Sequence, residues 1–296
     1  MDESELRAFT ALARELRFTR AARSLNVSQP TLSRLVQRLE RQLGAKLVVR
    51  APQGVVLTDA GERFLPHAER ALASIDSGVA EVSELSGEPR GEVRLGALPT
   101  VVAYVLPPVV AAFHKSYPAV KLIVHEGFTS ILEAKVARGE LDLALVGYPP
   151  KSEELSAMLL WREEHRLAIP PHHRLAGSKK PIALQALIDE PFVVIPGTIG
   201  MRKMEEVCAA AGKRPSVALE TDNLESVRRM IEAGLGVSLV PELMARDKRW
   251  RAEPIPISGG VVSRQVCVVH RGAGYLTAAT RALRNAIVAH AKTIKF

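Results

Sequence analysis

The run Ser28-Gln29-Pro30-Thr31-Leu32-Ser33-Arg34-Leu35-Val36-Gln37-Arg38-Leu39-Glu40-Arg41-Gln42-Leu43-Gly44 sorts into two faces once it is wound as a helix. Leu32, Leu35, Val36, Leu39 and Leu43 recur at spacings of three and four and form one apolar stripe. Pro30, Arg34, Gln37 and Arg41 occupy the opposite face, with Thr31, Ser33 and Arg38 beside them. Ser28 is a strong N-cap, Pro30 is tolerated in a first turn that has no N–H partner to lose, and Gly44 closes the helix.

Upstream, Leu6, Phe9, Leu12, Ala13 and Leu16 repeat at helical spacing, and Phe18-Thr19 breaks the pattern. Thr19 is expected to cap a short second helix whose Ala21, Ala22 and Leu25 face inward, small enough for close helix packing. Asn26-Val27 makes a tight turn into the Ser28 helix. Polar helix faces are ordinary on any surface, so a merely solvated face is the alternative reading. The position after a tight turn and an alanine-rich helix favours a helix-turn-helix, whose second helix enters the DNA major groove. Hydroxyl, amide and guanidinium groups suit base edges and phosphates there. Downstream, Leu47 to Arg50 and Val55 to Leu57 flank the turn Ala51-Pro52-Gln53-Gly54, which reads as a hairpin. A hairpin in that place is a wing, with Arg50 and Gln53 set to touch phosphate or the minor groove.

These residues carry a resemblance. Phe18-Thr19-Arg20-Ala21-Ala22, Leu25 through Ser33, Leu39-Glu40, Leu43-Gly44 and Leu57-Thr58-Asp59-Ala60-Gly61 are similar to the LysR-type transcriptional regulators. The match is dense over residues 4–65. It implies that Gln29, Pro30, Thr31 and Ser33 meet bases and that Arg34 and Arg50 meet the backbone; Arg20, Gln37, Arg38 and Gln53 are expected on the same DNA surface. Val48 departs from the family's usual phenylalanine, which alters wing packing.

Thr58 is placed to cap a long helix with Asp59 and Glu62 in its first turn, favourable to the helix dipole. Leu65, Ala68, Leu72, Ile75, Val79 and Val82 then alternate three- and four-residue spacings, the seam of a coiled coil. Packing against its own domain is the alternative for such a helix. Dimerisation is the favoured reading, because a winged module that reads one half-site gains affinity by pairing. Pro66 is expected to bend the helix, and Ser86-Gly87-Glu88-Pro89-Arg90-Gly91 reads as a linker.

From Glu92 onward strands and helices alternate: strands at 93–98, 121–125, 141–146, 191–195, 217–220, 237–241 and 266–270, helices at 101–116, 131–138, 201–211, 224–233 and 277–293. Alternation of this kind predicts a mainly parallel sheet flanked by helices. Leu106-Pro107-Pro108, Tyr117-Pro118, Gly139 to Ala144 and Ala233 to Val237 extend the family resemblance more loosely. The expected fold is α plus α/β: a winged helix-turn-helix (1–57), a dimerisation and linker helix (58–90), and a two-lobed effector domain like type 2 periplasmic binding proteins (91–296). The resemblance sets lobe I at about 92–161 and 267–296 and lobe II at about 162–266, crossing near Trp161–Arg166 and Arg264–Val266. Ligands of open α/β sheets sit beyond the carboxyl ends of strands, near helix N-termini that favour anions. Pro99-Thr100, Thr129-Ser130, the Thr198–Met201 turn with Gly200, and Asn223 are therefore candidates to hold a small anionic effector, a carboxylate by preference. Plain capping is the alternative for each, Ser130 with Glu133 forming a capping box.

Charge follows the same division. The formal net charge is +8, with ten Lys/Arg against five Asp/Glu in 1–57 and three against seven in 58–90. A basic block followed by an acidic one suits a nucleic-acid surface joined to something with another job. No apolar run reaches the roughly 18 residues of a membrane span, and Met1-Asp2-Glu3 is no secretory start, so a cytoplasmic protein without membrane partners is expected. No nucleophile elbow, phosphate loop, dinucleotide glycine pattern or zinc-protease motif occurs, so no enzyme, metal or cofactor is expected. His172-His173 lacks a third ligand nearby. Peroxide-sensing members of the resembled family have a reactive cysteine near Gly200-Met201-Arg202, where this chain has none; Cys208 and Cys267 read as small buried residues. A free-standing solute-binding protein is the remaining rival, and the basic winged module argues against it. The resemblance implies a dimer through the Thr58–Leu85 helix, a tetramer through effector-domain contacts, and RNA polymerase as a further partner.

Overall fold

The computed structural model describes residues 1–51, 54–84, 89–152, 154–178, 180–251, 254–260, 262–272 and 276–296, with backbone only at 73, 76, 77 and 80–84. Helices α1 (Glu3–Glu15), α2 (Phe18–Ser24) and α3 (Gln29–Leu43) pack on one another, followed by strands β1 (Val48–Ala51) and β2 (Gly54–Leu57). Asp2 and Glu5 close a reciprocal capping box on α1, and Ser28 accepts the Thr31 N–H at the start of α3. Thr19 does not cap α2. Arg17 holds the N-cap position without a side-chain bond, because the helix already begins at Phe18. Ala8, Leu12, Ala21, Ala22, Leu32 and Val36 form the core, and alanine at three of these positions lets the helices approach closely. Leu43, predicted to be apolar-facing, is exposed at the last turn of α3. The two strands pair antiparallel from Val48↔Leu57 to Ala51↔Gly54. The Val55 N–H reaches the Leu16 carbonyl at 2.9 Å, which fastens the hairpin to the end of α1.

Helix α4 (Asp59–Glu84) starts where the Thr58 hydroxyl accepts the Gly61 N–H at 3.0 Å and donates to the Lys46 carbonyl at 2.6 Å. A Cβ on Gly61 would lie 2.0 Å from the Leu47 carbonyl oxygen. Gly61→Ala is therefore expected to push the hairpin off α4 and cost roughly 1–3 kcal/mol, the range of overpacking; urea unfolding of the two proteins measures it, and an unchanged midpoint would mean that this junction is loose. The expected seam divides. Leu65, Ala68 and Leu72 pack with Leu6, Phe9, Leu39 and Leu47, and the Phe9 and Phe64 rings sit 5.8 Å apart. For these three the packing onto the chain's own helices prevails, since they complete the apolar face of α1. Ile75 and Val79 remain exposed, and the Val82 side chain lies outside the described residues.

An eight-stranded sheet runs β4-β3-β5-β12-β6-β11-β7, with β10 also on β6. Its first half comprises β3 (Gly91–Ala97), α5 (Pro99–Tyr104), α6 (Leu106–Ser116), β4 (Val120–Glu126), α7 (Thr129–Arg138) and β5 (Leu143–Val146). The predicted 101–116 helix is two helices. Val105 is the break, and Pro107-Pro108 occupy the first turn of α6, where proline cannot continue an earlier helix. β3 pairs parallel with both β4 and β5, so the chain leaves β3 to one side and returns on the other. α5 and α6 cover one face with α11 (Ala278–Ala291), and α7 covers the other.

β6 (Leu155–Ala168) is a fourteen-residue strand that helix–strand alternation did not predict. Its alternating burial at Trp161, Glu163, His165 and Leu167 places charged groups on the inward face, which masks the hydrophobic signal of a strand. Beyond it come β7 (Ile182–Ala183), β8 (Pro191–Val194), α8 (Ile199–Ala210), β9 (Ser216–Glu220), α9 (Leu224–Glu232), β10 (Ser238–Pro241), α10 (Glu242–Ala245), β11 (Ile255–Ser258) and β12 (Ser263–Arg271). β8 and β9 pair parallel, with α8 against one face and α9 against the other. The result is two α/β cores, bridged by the antiparallel pair β6–β12. The sheet is more antiparallel than expected, because β6 and β12 both carry the chain between cores. Among the described residues, no helix is long and apolar enough to cross a membrane.

Candidate functional site

The outward face of α3 begins at its N-cap. Gln29, Pro30, Thr31, Arg34 and Gln37 are exposed and Ser33 is half-buried, while the leucine stripe turns into the core. Gln37 donates weakly to the Ser33 hydroxyl at 3.5 Å. Arg20 and Arg34 hold no ion pair among the described residues, and no acidic group neutralises them. Arg50 on β1 stacks over the Phe18 ring at 5.8 Å, which brings the hairpin's charge alongside the start of α2. Arg38 differs from expectation. Its guanidinium is drawn to Glu5 at 2.7 Å and Asp2 at 3.7 Å, so two carboxylates at the start of α1 hold it away from the open face. Gln53 lies outside the described residues.

A cleft of about 120 Å³ opens between the two α/β cores at the carboxyl end of β3. Pro99, Thr100, Thr129, Ser130 and Thr198 all border it. The helices of Thr100 and Thr129 converge because β3 lies between β4 and β5, the switch point at which such folds leave a crevice, and Thr198 comes from the other core at the start of α8. Thr100 is buried, and its hydroxyl oxygen accepts from Arg264 Nη2 at 2.7 Å. Thr129 is likewise buried and accepts the Gly147 N–H at 2.9 Å. Each hydroxyl oxygen is engaged inside the protein, which leaves its proton for a group in the cleft. Ser130 does not cap α7. Phe128 holds that position with no side-chain bond, Thr129 lies in the first turn, and Ser130 is exposed.

Three candidates sit elsewhere. Gly200 is buried against β10, where a Cβ would meet the Leu239 carbonyl oxygen at 2.8 Å; it permits close packing and does not border the cleft. Met201 donates its N–H to Thr198 Oγ1 at 3.4 Å and packs into the α8 core. Asn223 caps α9 by accepting the Ser226 N–H at 3.0 Å and stays outside the cleft. For these residues ordinary packing and capping are the structural role.

The floor of the cleft carries charged groups that sequence reasoning missed. Glu163 on β6 and Arg264 on β12 face each other across the strand pair. Arg264 Nε and Nη2 reach Glu163 Oε1 at 2.8 and 2.7 Å, and Trp161 Nε1 and the Leu243 N–H complete the carboxylate's partners at 3.2 and 2.9 Å. His165 stands two residues further along the same face and is 3% exposed. Burial, with the nearby Arg264 charge, pushes its imidazole down to about 4, although the Val262 carbonyl at 3.0 Å works the other way. The period-two alternation of Trp161, Glu163, His165 and Leu167 was the available signal, hidden because polar residues stood where apolar ones were sought. Arg202 reaches in from α8, its guanidinium 5.8 Å over the Tyr148 ring. Cys208 and Cys267 are buried in separate cores, and burial pushes both thiols up. Among the described residues no cluster of His, Cys, Asp and Glu could hold a metal ion. The His172-His173 pair serves its loop, with His173 bonded to Glu190 at 3.2 Å.

Two family models match the chain: a bacterial regulatory helix-turn-helix protein of the lysR family over residues 4–62, and a LysR substrate binding domain over residues 86–292. A probable hydrogen peroxide-inducible genes activator of Mycobacterium avium is 37% identical over 239 residues, 80% of this chain and 76% of that protein. The HTH-type transcriptional regulator AlsR of Bacillus subtilis is 31% identical, covering 81% and 80%. A solved full-length OxyR variant from Pseudomonas aeruginosa superposes with a TM-score of 0.76 at 28% identity, over 99% of this chain and 95% of that one.

Proposed function

Because the chain belongs to the LysR family of transcriptional regulators, we propose that it reads promoter DNA with α3 and its hairpin wing and is switched by a small anionic effector, by preference a carboxylate, held in the cleft between its two α/β cores. In this reading residues 1–57 bind DNA, 58–90 join and pair protomers, and 91–296 sense the effector. Lobe II begins after Trp161, and the chain recrosses near Arg264. Gln29, Pro30, Thr31 and Ser33 address bases, and Arg20, Arg34, Gln37 and Arg50 address the backbone. Arg38 joins them only by exchanging Glu5 for a phosphate. Pairing of protomers falls to the exposed Ile75 and Val79 onward, with a tetramer, RNA polymerase contact and a cytoplasmic location as further parts of the proposal.

The observation that carries the DNA reading is the exposed, uncompensated polar face of α3. Arg34→Ala is expected to weaken binding to every sequence and to lower the salt-dependence slope by about 0.9, one phosphate's share. Gln29→Ala is expected to cost about 1–3 kcal/mol at one base pair and to relax preference there. Titrations against the intergenic DNA beside its own gene, with single-base variants, measure both. Unchanged affinity in both mutants would refute the groove assignment.

For the effector, the convergence of Thr100, Thr129 and Ser130 with Arg264 supports an anion, since the three hydroxyls present a donor and Arg264 a guanidinium, whereas Thr198 gives its own proton to the Ile195 carbonyl at 2.9 Å. An effector that prefers the closed cores would shift the relative placement of the DNA-binding pairs. Thermal shifts of the full chain with small carboxylates test it, and a panel without effect on stability or DNA binding counts against it. The name of the mycobacterial relative raises peroxide sensing through a thiol. Two buried cysteines in separate cores, with no thiol in the first turn of α8, favour the ligand reading instead.

A further inference from the structure

The groups that can donate to an anion account for one side of the cleft only. At its floor His165 presents the opposite chemistry. Its Nδ1 lies 3.0 Å from the Val262 carbonyl oxygen, which can only accept, so the ring proton sits on Nδ1. Burial and the adjacent Arg264 keep the ring neutral above about pH 4. Nε2 is therefore a bare lone pair, on a side chain more than nine-tenths buried, and it has no hydrogen-bond partner among the described residues. Nε2 is not among the polar atoms shut off from solvent, so a ligand that displaces water from it must donate in the water's place or lose that hydrogen bond.

Resting on the cleft reading above, we infer that the effector is a hydroxycarboxylate: its anion meets the Thr100 and Thr129 hydroxyls and Arg264, and its neutral hydroxyl donates to His165 Nε2. An amine would also donate, but as an ammonium it would stand beside the Arg264 guanidinium, whose charge already opposes a proton on His165. Phe128, Ile195, Val227, Val240 and Met244 border the rest of the cleft and suit an apolar skeleton between the two polar ends. A plain carboxylate leaves Nε2 unpaired, and that is the basis of discrimination.

Calorimetric titration of the full chain with two matched trios tests this. One trio is 3-phenylpropanoate, 3-phenyllactate and phenylalanine; the other is 3-methylbutanoate, 2-hydroxy-3-methylbutanoate and valine. In at least one trio the hydroxy acid is expected to bind about tenfold or more tightly than the deoxy acid, the worth of one satisfied buried hydrogen bond, and more tightly than the amino acid. His165→Asn, whose amide keeps a donor for Val262 but loses the Nε2 acceptor, is expected to abolish the preference. His165→Gln, whose amide oxygen occupies the Nε2 region, is expected to retain part of it. Equal binding of deoxy and hydroxy acids overturns the His165 assignment and leaves the anion reading standing, as does a preference that survives in His165→Asn. Tighter binding of the amino acid overturns the exclusion of a cationic donor, and with it the hydroxycarboxylate assignment. No binding of any acid at millimolar concentration overturns the anion reading itself and this inference with it.

Discussion

Glu163→Ala is expected to lower the unfolding free energy of the effector domain by about 3–5 kcal/mol, the usual consequence of stranding one member of a buried ion pair. The Glu163 side chain is wholly inaccessible and Arg264 is 8% exposed. Once the carboxylate is gone, the guanidinium keeps only Thr100 as a partner among the described residues, and Trp161 Nε1 and the Leu243 N–H also lose their acceptor. Burial alone works against the charge of Arg264, and Glu163 is what offsets it. The pair also spans β6 and β12, the two strands that join the cores, so the loss concerns the junction itself. Denaturant unfolding of the full chain followed by tryptophan fluorescence reports it directly, because Trp161 sits in the network. Replacing both partners with apolar residues, Glu163→Leu with Arg264→Met, should recover much of the stability, since the cost lies in leaving one charge alone. A single-mutant loss below about 1 kcal/mol, the value of an exposed pair, would mean that water reaches this site.

Acid should weaken the fold through His165. Its folded imidazole titrates at about 4 and its unfolded one at the ordinary 6.5. Above pH 6.5 neither state holds the proton and His165 contributes no slope. As pH falls below 6.5 the unfolded chain takes up a proton that the folded chain refuses, so stability declines until about pH 4 and then levels off. The interval corresponds to roughly 3 kcal/mol. Asp247, held down to about 2 chiefly by its Arg249 hydrogen bonds, adds its own loss only below 3.8. Glu69, Glu133 and Asp142 are raised by burial and oppose the decline, but they are common to wild type and variant. The measurement is therefore the difference in unfolding free energy between wild type and His165→Asn across pH 4–7. A difference that stays flat would place the ring in water at all these pH values.

The periodicity of residues 6–57 was enough to place three helices, the turn before Ser28 and the hairpin, because an amphipathic helix announces its buried face locally and caps and turns act within four residues. Helix N-termini at Thr100, Thr129 and Thr198 were legible for the same reason, and the topology then brought all three to one cleft. Local reading could not say which way a polar side chain would be used. Ser130 looked like a cap and is exposed, Arg38 looked like a DNA contact and is held by Glu5, and Leu65, Ala68 and Leu72 serve the chain's own core rather than a seam between protomers.

The sequence by itself determined the DNA-binding module and the alternation of strands and helices, since both rest on interactions between residues close in the chain. Only the tertiary structure decided the floor of the cleft. Glu163 meets Arg264 across about a hundred positions, and Thr100 meets Arg264 across more than that. A charge in a strand looks like a surface residue until its partner arrives from another part of the chain, and burial becomes affordable only through that pairing.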